Sequence, residues 1–153
     1  MATKKSNNTP DTVTLKVKGT IKYFGKSSGK YAREGFSQIS YVPADAESLR
    51  TDLKTCYEAS GTDEKWLPEF VTGKVDHLNL KSKFEIPVLV YDGQNGLETN
   101  VLDFVSEYGT PKKGTRVTVC VKFKNGALYP TAVKFADDLK DIETYSLANL
   151  FED

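Results

Sequence analysis

Lysine and arginine side chains recur next to aromatic rings in two stretches of this sequence, residues 16–36 and residues 112–129. Such cations contact the phosphates of a nucleic acid, and flat rings stack on its bases at about 1–3 kcal/mol per base. This combination predicts a groove for a single strand of nucleic acid. The predicted contact residues are Lys16, Lys18, Lys22, Phe24, Lys30, Tyr31, Arg33, Lys112, Lys113, Arg116, Lys122, Lys124 and Tyr129.

The same residues have a simpler interpretation, because alternating lysines keep half-exposed and edge strands in solution and tyrosine is common in protein cores. The two interpretations differ in where the cations lie. A groove requires them on one side of the molecule, whereas solubility allows them to be scattered. A two-residue turn at Asn125-Gly126 would place Lys122 opposite Tyr129. The same register would place Arg116 opposite Phe135.

The formal net charge of zero conceals an uneven distribution of charge. Residues 1–35 contain eight Lys/Arg and two Asp/Glu, and residues 105–136 contain six Lys/Arg and one Asp/Glu. Acidic residues dominate the other two segments. Residues 36–104 contain six Lys/Arg and twelve Asp/Glu, and residues 137–153 contain one Lys/Arg and six Asp/Glu. The chain therefore alternates between basic and acidic segments, and this asymmetry indicates a charged partner.

The acidic segment at the end, residues 137–153, follows the last predicted strand. Segments of this kind are commonly solvated tails or short terminal helices. The functional alternative, which we adopt as the prediction, is a flexible tail that covers the basic groove, competes with nucleic acid for it and contacts partner proteins when displaced. Salt would weaken these contacts. The residues assigned to this role are Asp137, Asp138, Asp141, Glu143, Phe151, Glu152 and Asp153.

Residue types that commonly carry catalysis are sparse in this chain. His77 is the single histidine, and Cys56 and Cys120 lack the spacing of a metal site. The glycines of residues 25–30 lack the spacing and the strand-to-helix context of a phosphate loop. We therefore expect no enzymatic activity, no cofactor and no metal. A metal-dependent nuclease that uses the acidic residues of segment 45–76 is a further possibility.

Hydrophobic periodicity predicts about six strands and a helix after the second strand, in one domain. Trp66, Leu67, Phe70 and Val71 indicate either a short second helix or a packed loop. The first strand begins at Thr12, and the others are predicted at residues 35–42, 85–91, 97–105, 115–124 and 128–136. Asp45 is placed to cap a helix that runs to about Ala59. Antiparallel strands with one helix inserted after the second fit an OB-like barrel over residues 12–136 better than a doubly wound sheet. Residues 1–11 are predicted to be a disordered arm.

The order of these features resembles the single-stranded DNA-binding proteins of short-tailed bacteriophages and related phage OB-fold binders. The resemblance starts at GTIKYF and continues through a basic loop into GFSQISYVPADAESLRTDLKTCYEA, where a strand ending in proline leads into a helix. It resumes at LETNVLDF and at the lysine-bearing hairpin KKGTRVTVCVKFKNGALYPTAVKFADDL. The resemblance covers residues 19–59 and 85–153, and it depends on the order of these segments and their general residue types rather than on a rigid motif.

The resemblance implies an OB-fold core with its helix between the second and third strands, and a cationic groove for single strands. It also implies a tail that contacts replication proteins such as polymerase and primase-helicase, and that mediates or competes for homodimer contacts. The tail of this chain departs from the family pattern because it is short, lacks a long acidic run and ends in Glu152-Asp153 after Phe151.

Together these features predict a sequence-independent single-stranded DNA-binding protein that acts in phage DNA replication or recombination. An alternative from another class is a protein-interaction barrel that recruits a partner through its acidic tail and acidic middle segment. Stacking and phosphate contacts serve DNA and RNA alike, so both remain candidate ligands. We expect a cytoplasmic protein, in the host cell if phage-encoded, because no apolar run approaches the about 18 residues of a membrane helix and no secretory signal is visible.

Overall fold

A computed structural model describes residues 12–27 and 34–145 of the chain. The strands are β1 (Thr12–Lys26), β2 (Ser37–Pro43), β3 (Leu78–Ser82), β4 (Pro87–Asp92), β5 (Asn95–Asn100), β6 (Thr110–Pro111), β7 (Arg116–Lys124), β8 (Ala127–Asp138) and β9 (Thr144–Tyr145). The helices are α1 (Ala46–Ala59), α2 (Glu69–Thr72) and α3 (Val101–Tyr108). Short 3₁₀ turns are formed at Glu64–Trp66 and Leu139–Asp141.

Seven strands form one sheet in the order β3-β2-β1-β7-β8-β4-β5, and β6 pairs with β9. Neighbouring strands of the large sheet are antiparallel except β4 and β8, which run parallel. The prediction of a mainly β chain with a helix after the second strand is confirmed. The sheet is not closed into a barrel, since β3 and β5 lie at its two ends. It curls enough to bring β3 within 8 Å of β8 between Cα atoms.

Alternating side chains on the long strands build the core, because successive residues of a strand point to opposite faces of the sheet. The four apolar residues of β7 are all buried, as the sequence predicts. At the centre of the core, Phe24, Phe104 and Phe135 pack together with ring centroids 5.1–5.8 Å apart. Buried aromatic pairs of this kind contribute strongly to stability, so these rings hold the inner faces of β1 and β8 against α3.

Helix α1 begins at the predicted cap. Asp45 Oδ1 accepts a hydrogen bond from the backbone N–H of Ser48 at 3.1 Å, which satisfies one of the open donors of the first turn. Leu49, Leu53 and Tyr57 form the buried face of the helix. The Tyr57 ring meets the ring of Phe123 edge-on at 4.8 Å, which holds α1 over the end of β7.

The segment after β5 differs from the prediction. Residues 97–105 are predicted as one strand, but the strand ends at Asn100 and α3 follows. Asn100 Oδ1 accepts from the backbone N–H of Asp103 at 2.8 Å, a side-chain cap that starts a helix. Val101 and Phe104, three residues apart, lie on one helical face and are fully buried. A strand would have pointed them to opposite sides.

Residues 137–145, predicted as the first part of the acidic tail, belong to the described fold. Strand β8 continues to Asp138, and after a 3₁₀ turn β9 pairs with β6 through Thr144 and Pro111. Residues 146–153, which include the predicted tail residues Phe151, Glu152 and Asp153, lie outside the described residues.

Candidate nucleic-acid interface

Two adjacent strands, β1 and β7, carry predicted cations on one side of the sheet, and the neighbouring β8 carries the predicted Tyr129 on the same side. Directly opposite residues of an antiparallel pair point to the same side. Lys16 of β1 lies opposite Cys120 of β7, and Lys18 lies opposite Thr118. Lys122, two residues from Cys120, lies opposite Tyr129 of β8. We call this surface the basic face, and its members are Lys16, Lys18, Arg116, Lys122, Lys124, Tyr129 and Lys134.

A bulge in β8 brings a cation to the basic face that the sequence analysis missed. The register shifts by one residue beyond Cys120, where Thr131 is the extra residue. Thr131 Oγ1 donates a hydrogen bond to the backbone oxygen of Cys120 at 3.1 Å, which stabilises the bulge. After the bulge, Lys134 lies opposite Thr118 and is exposed. An unshifted hairpin would have turned Lys134 into the core.

Because of this register shift in β8, one of the two predicted cross-strand pairs forms and the other does not. Lys122 lies opposite Tyr129, so this prediction is confirmed. The predicted pairing of Arg116 with Phe135 is wrong, because Phe135 is fully buried while Arg116 is exposed. A signal for the shift is present in the sequence at Pro130, since a proline inside a strand pattern marks an edge or a bulge.

A cavity of about 620 Å³ lies at the Arg116 end of the basic face. Lys18, Arg116 and Lys134 line it together with Tyr91 of β4. Lys134 Nζ lies 5.4 Å from the centroid of the Tyr91 ring, in cation–π contact. Three cations beside an aromatic ring provide the two kinds of contact that a single strand uses. Tyr91, like Lys134, was not among the predicted site residues.

The prediction that Phe24 contacts nucleic acid is wrong. Its side chain is fully buried and packs against two other core rings. The physical cause is a second bulge: the register of β1 with β2 shifts between Ile21 and Tyr23, so that Phe24 lies opposite the buried Ile39. Extrapolating the alternation of the preceding residues through this bulge places Phe24 on the wrong side of the sheet.

Lys22 lies apart from the basic face. Its Nζ is 3.2 Å from Nδ1 of His77, next to β3, and Asp76 Oδ1 is 3.4 Å from the same His77 nitrogen. The bulge in β1 therefore also separates Lys22 from Lys16 and Lys18. Three other predicted contact residues lie outside the described part of the chain: Lys30, Tyr31 and Arg33.

Acidic residues of the C-terminal segment contact cations at the Arg116 end. Arg116 Nη2 donates a hydrogen bond to Asp137 Oδ1 at 2.5 Å, and this bond and the charge of Asp137 raise the pKa of Arg116. Lys112 Nζ lies 3.4 Å from Glu143 Oε1. Asp141 lines a cavity of about 450 Å³ with these residues. These cation–carboxylate contacts lie within residues 137–145, the first part of the segment predicted as the tail.

Lys113 also lines this cavity and is exposed in the turn before β7. Together with Lys112 and Arg116 it extends the cationic surface beyond the end of the basic face. The turn is held by the side-chain hydroxyl of Thr115, which donates to the backbone oxygen of Lys112 at 2.6 Å. The structure therefore brings most of the described predicted cations to one continuous region, and leaves Lys22 outside it.

The cysteines and the acidic middle segment show no convergence on a metal site. Within residues 12–27 and 34–145, no three His, Cys, Asp or Glu side chains come together in a way that could hold a metal ion. Cys56 and Cys120 are both free thiols. Burial, with a smaller contribution from the charge of Asp52, raises the pKa of the Cys56 thiol. Cys120 lies at the centre of the basic face, opposite Lys16.

No protein-family model matches this chain, and no curated protein and no solved structure matches it either. In the part of the chain that the structure describes, no helix has the length and apolar character needed to cross a bilayer.

Proposed function

We propose that this protein binds single-stranded DNA without base-sequence specificity and acts in DNA replication or recombination. The observation that carries the proposal is the basic face, where six cations from three adjacent strands share one side of the sheet with the exposed Tyr129. The cations contact phosphates, and Tyr129 and Tyr91 stack on bases.

The clustering of the cations on one side of the sheet favours nucleic-acid binding over a role in solubility alone. Neighbouring strands lie about 4.8 Å apart, and alternate residues of one strand lie about 7 Å apart, so the charges form a continuous patch. A flexible single strand can follow such a patch from one cation to the next. Charges that only keep a sheet in solution need no such arrangement.

The fold adds support to the proposal. Strands β3, β2, β1, β7 and β8 curl until β3 approaches β8, which is compatible with the partly open, five-stranded OB architecture that the resemblance implies. The resemblance to phage single-stranded DNA-binding proteins is the reason to propose replication or recombination as the setting. It also makes replication proteins such as polymerase and primase-helicase the proposed partners of residues 137–153, with homodimer contacts as a further role.

A protein-interaction domain is the second candidate function, and two exposed rings favour it. Trp66 and Phe84 are each 71% exposed, and both lie in the acidic segment of residues 36–104. Large exposed apolar side chains are common at protein-binding sites. In this alternative the basic face only keeps the protein in solution and binds no nucleic acid.

Fluorescence anisotropy of labelled oligonucleotides tests the proposal. Single-stranded and duplex DNA of about 30 nucleotides, longer than the site of one OB domain, are titrated with the full chain over a range of salt concentrations. Neutralising about four phosphates predicts a log–log slope near −3 on single strands. We expect tighter binding to the single strand than to the duplex. An absence of binding at low salt would favour the protein-interaction domain.

Alkylation of Cys120 locates the bound strand on the molecule. In a Cys56→Ser variant, Cys120 is the remaining thiol of the chain, and it lies at the centre of the basic face. Bound single-stranded DNA should slow its reaction with a maleimide. Unchanged alkylation at saturating DNA would show that the strand binds elsewhere, even if anisotropy detects binding.

A further inference from the structure

Trp66, the single tryptophan of the chain, is 71% exposed. A short 3₁₀ turn fixes its backbone: the N–H of Trp66 donates to the backbone oxygen of Asp63 at 2.9 Å, and the N–H of Lys65 donates to Asp63 Oδ1 at 3.1 Å. Burial of a tryptophan side chain stabilises a protein or a complex more than burial of most other side chains. An indole held in this exposed position offers a flat surface on which a ligand ring can stack.

Trp66 lines a cavity of about 460 Å³, within the size range of small-molecule sites. Helices α1 and α2 contribute Tyr57 and Phe70, β3 contributes residues 78–80, and the tip of the β7–β8 hairpin contributes residues 126–128. The cavity is large enough for a nucleobase and offers an aromatic ring at its edge.

Three residues with polar side chains line the same cavity. Glu69 provides a carboxylate, Asn79 a carboxamide and His77 an imidazole. Asn79 Oδ1 accepts a hydrogen bond from Ser40 Oγ at 2.9 Å, which orients the carboxamide. A carboxylate accepts hydrogen bonds from exocyclic amino groups. Cytosine, adenine and guanine carry such a group, whereas thymine does not.

The cavity adjoins the basic face across one strand. Leu128 lines the cavity, and the next residue, Tyr129, is exposed on the basic face opposite Lys122. Among the described residues, this part of β8 pairs with β7, and pairing with β4 begins only at Val133. A single strand that follows the basic face to Tyr129 can therefore cross the edge of β8 and enter the cavity.

Three cations lie near the cavity. Lys65 Nζ lies 5.6 Å from the Trp66 ring centroid, and Lys22 Nζ lies 3.2 Å from the His77 ring nitrogen. Lys124 is exposed at the end of β7, beside the hairpin tip. Glu69 is the one acidic residue among those that line the cavity. This distribution suits a nucleotide with its phosphate at the rim and its base inside.

We infer that the Trp66 cavity is a base-binding subsite of the single-strand path. It adds a modest preference for bases that carry an exocyclic amino group, while the basic face binds the rest of the strand without base preference. This inference rests on the proposed function, since the strand that supplies the base is the one bound on the basic face. Trp66 stacks on the base, Glu69 accepts from its amino group, and Asn79 contacts the remaining edge.

Trp66 serves as its own probe. The full chain is titrated with oligo-dC and oligo-dT of about 12 nucleotides, while tryptophan emission and the anisotropy of the labelled oligonucleotides are both measured. We expect oligo-dC to quench the emission over the same concentrations at which anisotropy rises, and to bind about fivefold more tightly than oligo-dT. Binding without quenching overturns the inference and leaves the proposed function intact. No binding in either titration overturns the proposed function, and the inference with it.

Variants separate stacking from base selection. Trp66→Ala should lower the affinity for oligo-dC about tenfold, whereas Phe84→Ala, which removes an equally exposed ring on the β3–β4 connection, should leave it unchanged. Glu69→Gln should bring the affinities for oligo-dC and oligo-dT close together, because a carboxamide both donates and accepts. Circular dichroism verifies that each variant is folded. Equal losses in the two alanine variants, or equal affinities for the two oligonucleotides in the unmodified chain, would overturn the assigned roles.

Discussion

Lys122 and Tyr129 lie opposite each other on the basic face, so they test its two kinds of contact at one place. A lysine–phosphate contact releases counterions, and Lys122→Ala should therefore make the log–log salt slope less negative by about 0.7. A stacked ring releases none. Tyr129→Ala should weaken binding by about 1–3 kcal/mol with the slope unchanged. Anisotropy titrations at several salt concentrations measure both effects.

Lys54→Ala is the matched control, because Lys54 is an exposed lysine on α1 and is not a member of the basic face. It should change neither the affinity nor the slope. Tyr31→Ala should have the same effect as Tyr129→Ala, because the sequence predicts the same stacking role for Tyr31. Equal changes of slope in the lysine and the tyrosine variants would contradict the division into phosphate and base contacts.

Tyr41 gives a prediction about stability that is independent of DNA. Its hydroxyl is buried without a hydrogen-bond partner in the described structure, and burial raises the pKa of the phenol well above its usual value. An unpaired buried hydroxyl destabilises a fold by about 1–3 kcal/mol. Tyr41→Phe should therefore increase the free energy of unfolding by about 1 kcal/mol, measured by urea denaturation. Tyr57→Phe is the control and should bring no gain, because the Tyr57 hydroxyl is not an unpartnered buried group in the described structure.

The side of the sheet to which a site residue points can be predicted from sequence only where no bulge interrupts its strand. The alternation on β7 places Lys122 and Lys124 correctly, because no bulge interrupts that strand's own alternation. It misplaces Phe24, since a bulge between Ile21 and Tyr23 reverses the phase. It also misses Lys134, for which Pro130 is the readable signal.

Among the elements, the β1–β2 pair depends on a glycine at its closest approach. A Cβ at Gly19 would lie 2.2 Å from the backbone oxygen of Val42, so any larger residue must push the two strands apart. Gly19→Ala should lower the free energy of unfolding by about 3 kcal/mol. Thermal or urea denaturation followed by circular dichroism provides the measurement.

Gly96→Ala in β5 is the control for this prediction. A Cβ there would lie 3.3 Å from a terminal methyl carbon of Leu89, which can move, rather than from backbone. We expect a loss of less than about 1 kcal/mol. A Gly19 variant as stable as the Gly96 variant would show that the β1–β2 pair can open without cost at this point.

Element boundaries follow from capping chemistry as much as from periodicity. The sequence predicts α1 closely, because Asp45 is followed by a regular helical pattern. It predicts a strand where α3 forms, since the short apolar run after Asn100 suits either element. The spacing of Asn100 and Asp103 is the local signal for a helix start, and the two side chains hydrogen-bond at 2.8 Å.

At the scale of the whole molecule, strand partners cannot be predicted from alternation alone. The hairpin at Asn125-Gly126 is predictable because its partners are adjacent in sequence. The parallel pair of β4 with β8 joins Val88 to Val133, and periodicity indicates which residues are buried but not which strand lies beside which. The sequence therefore predicts a mainly β chain and a cationic face, while the parallel pair and the open edges depend on long-range packing.

At the same scale, carboxylates of the C-terminal segment contact cations at the Arg116 end of the basic face. Asp137 binds Arg116 and Glu143 contacts Lys112, in a segment that continues into residues 146–153. A single strand that uses Arg116 must displace Asp137. Asp137→Asn keeps a polar side chain but removes the charge, so we expect a few-fold tighter binding of single-stranded DNA at low salt and a smaller gain at high salt.

A chain that ends at Tyr145 tests the other half of the acidic segment, because it keeps β9 and removes Phe151, Glu152 and Asp153. Ending the chain at Ala136 would remove β9 and the end of β8, and so would change the fold as well as the charge. Anisotropy with the full chain, Asp137→Asn and the shortened chain then locates the competitor. Tighter binding in Asp137→Asn alone assigns competition to the folded carboxylates, whereas tighter binding in the shortened chain alone assigns it to the last residues. If neither chain binds more tightly, the segment does not compete with DNA, and contact with partner proteins is the role left for it.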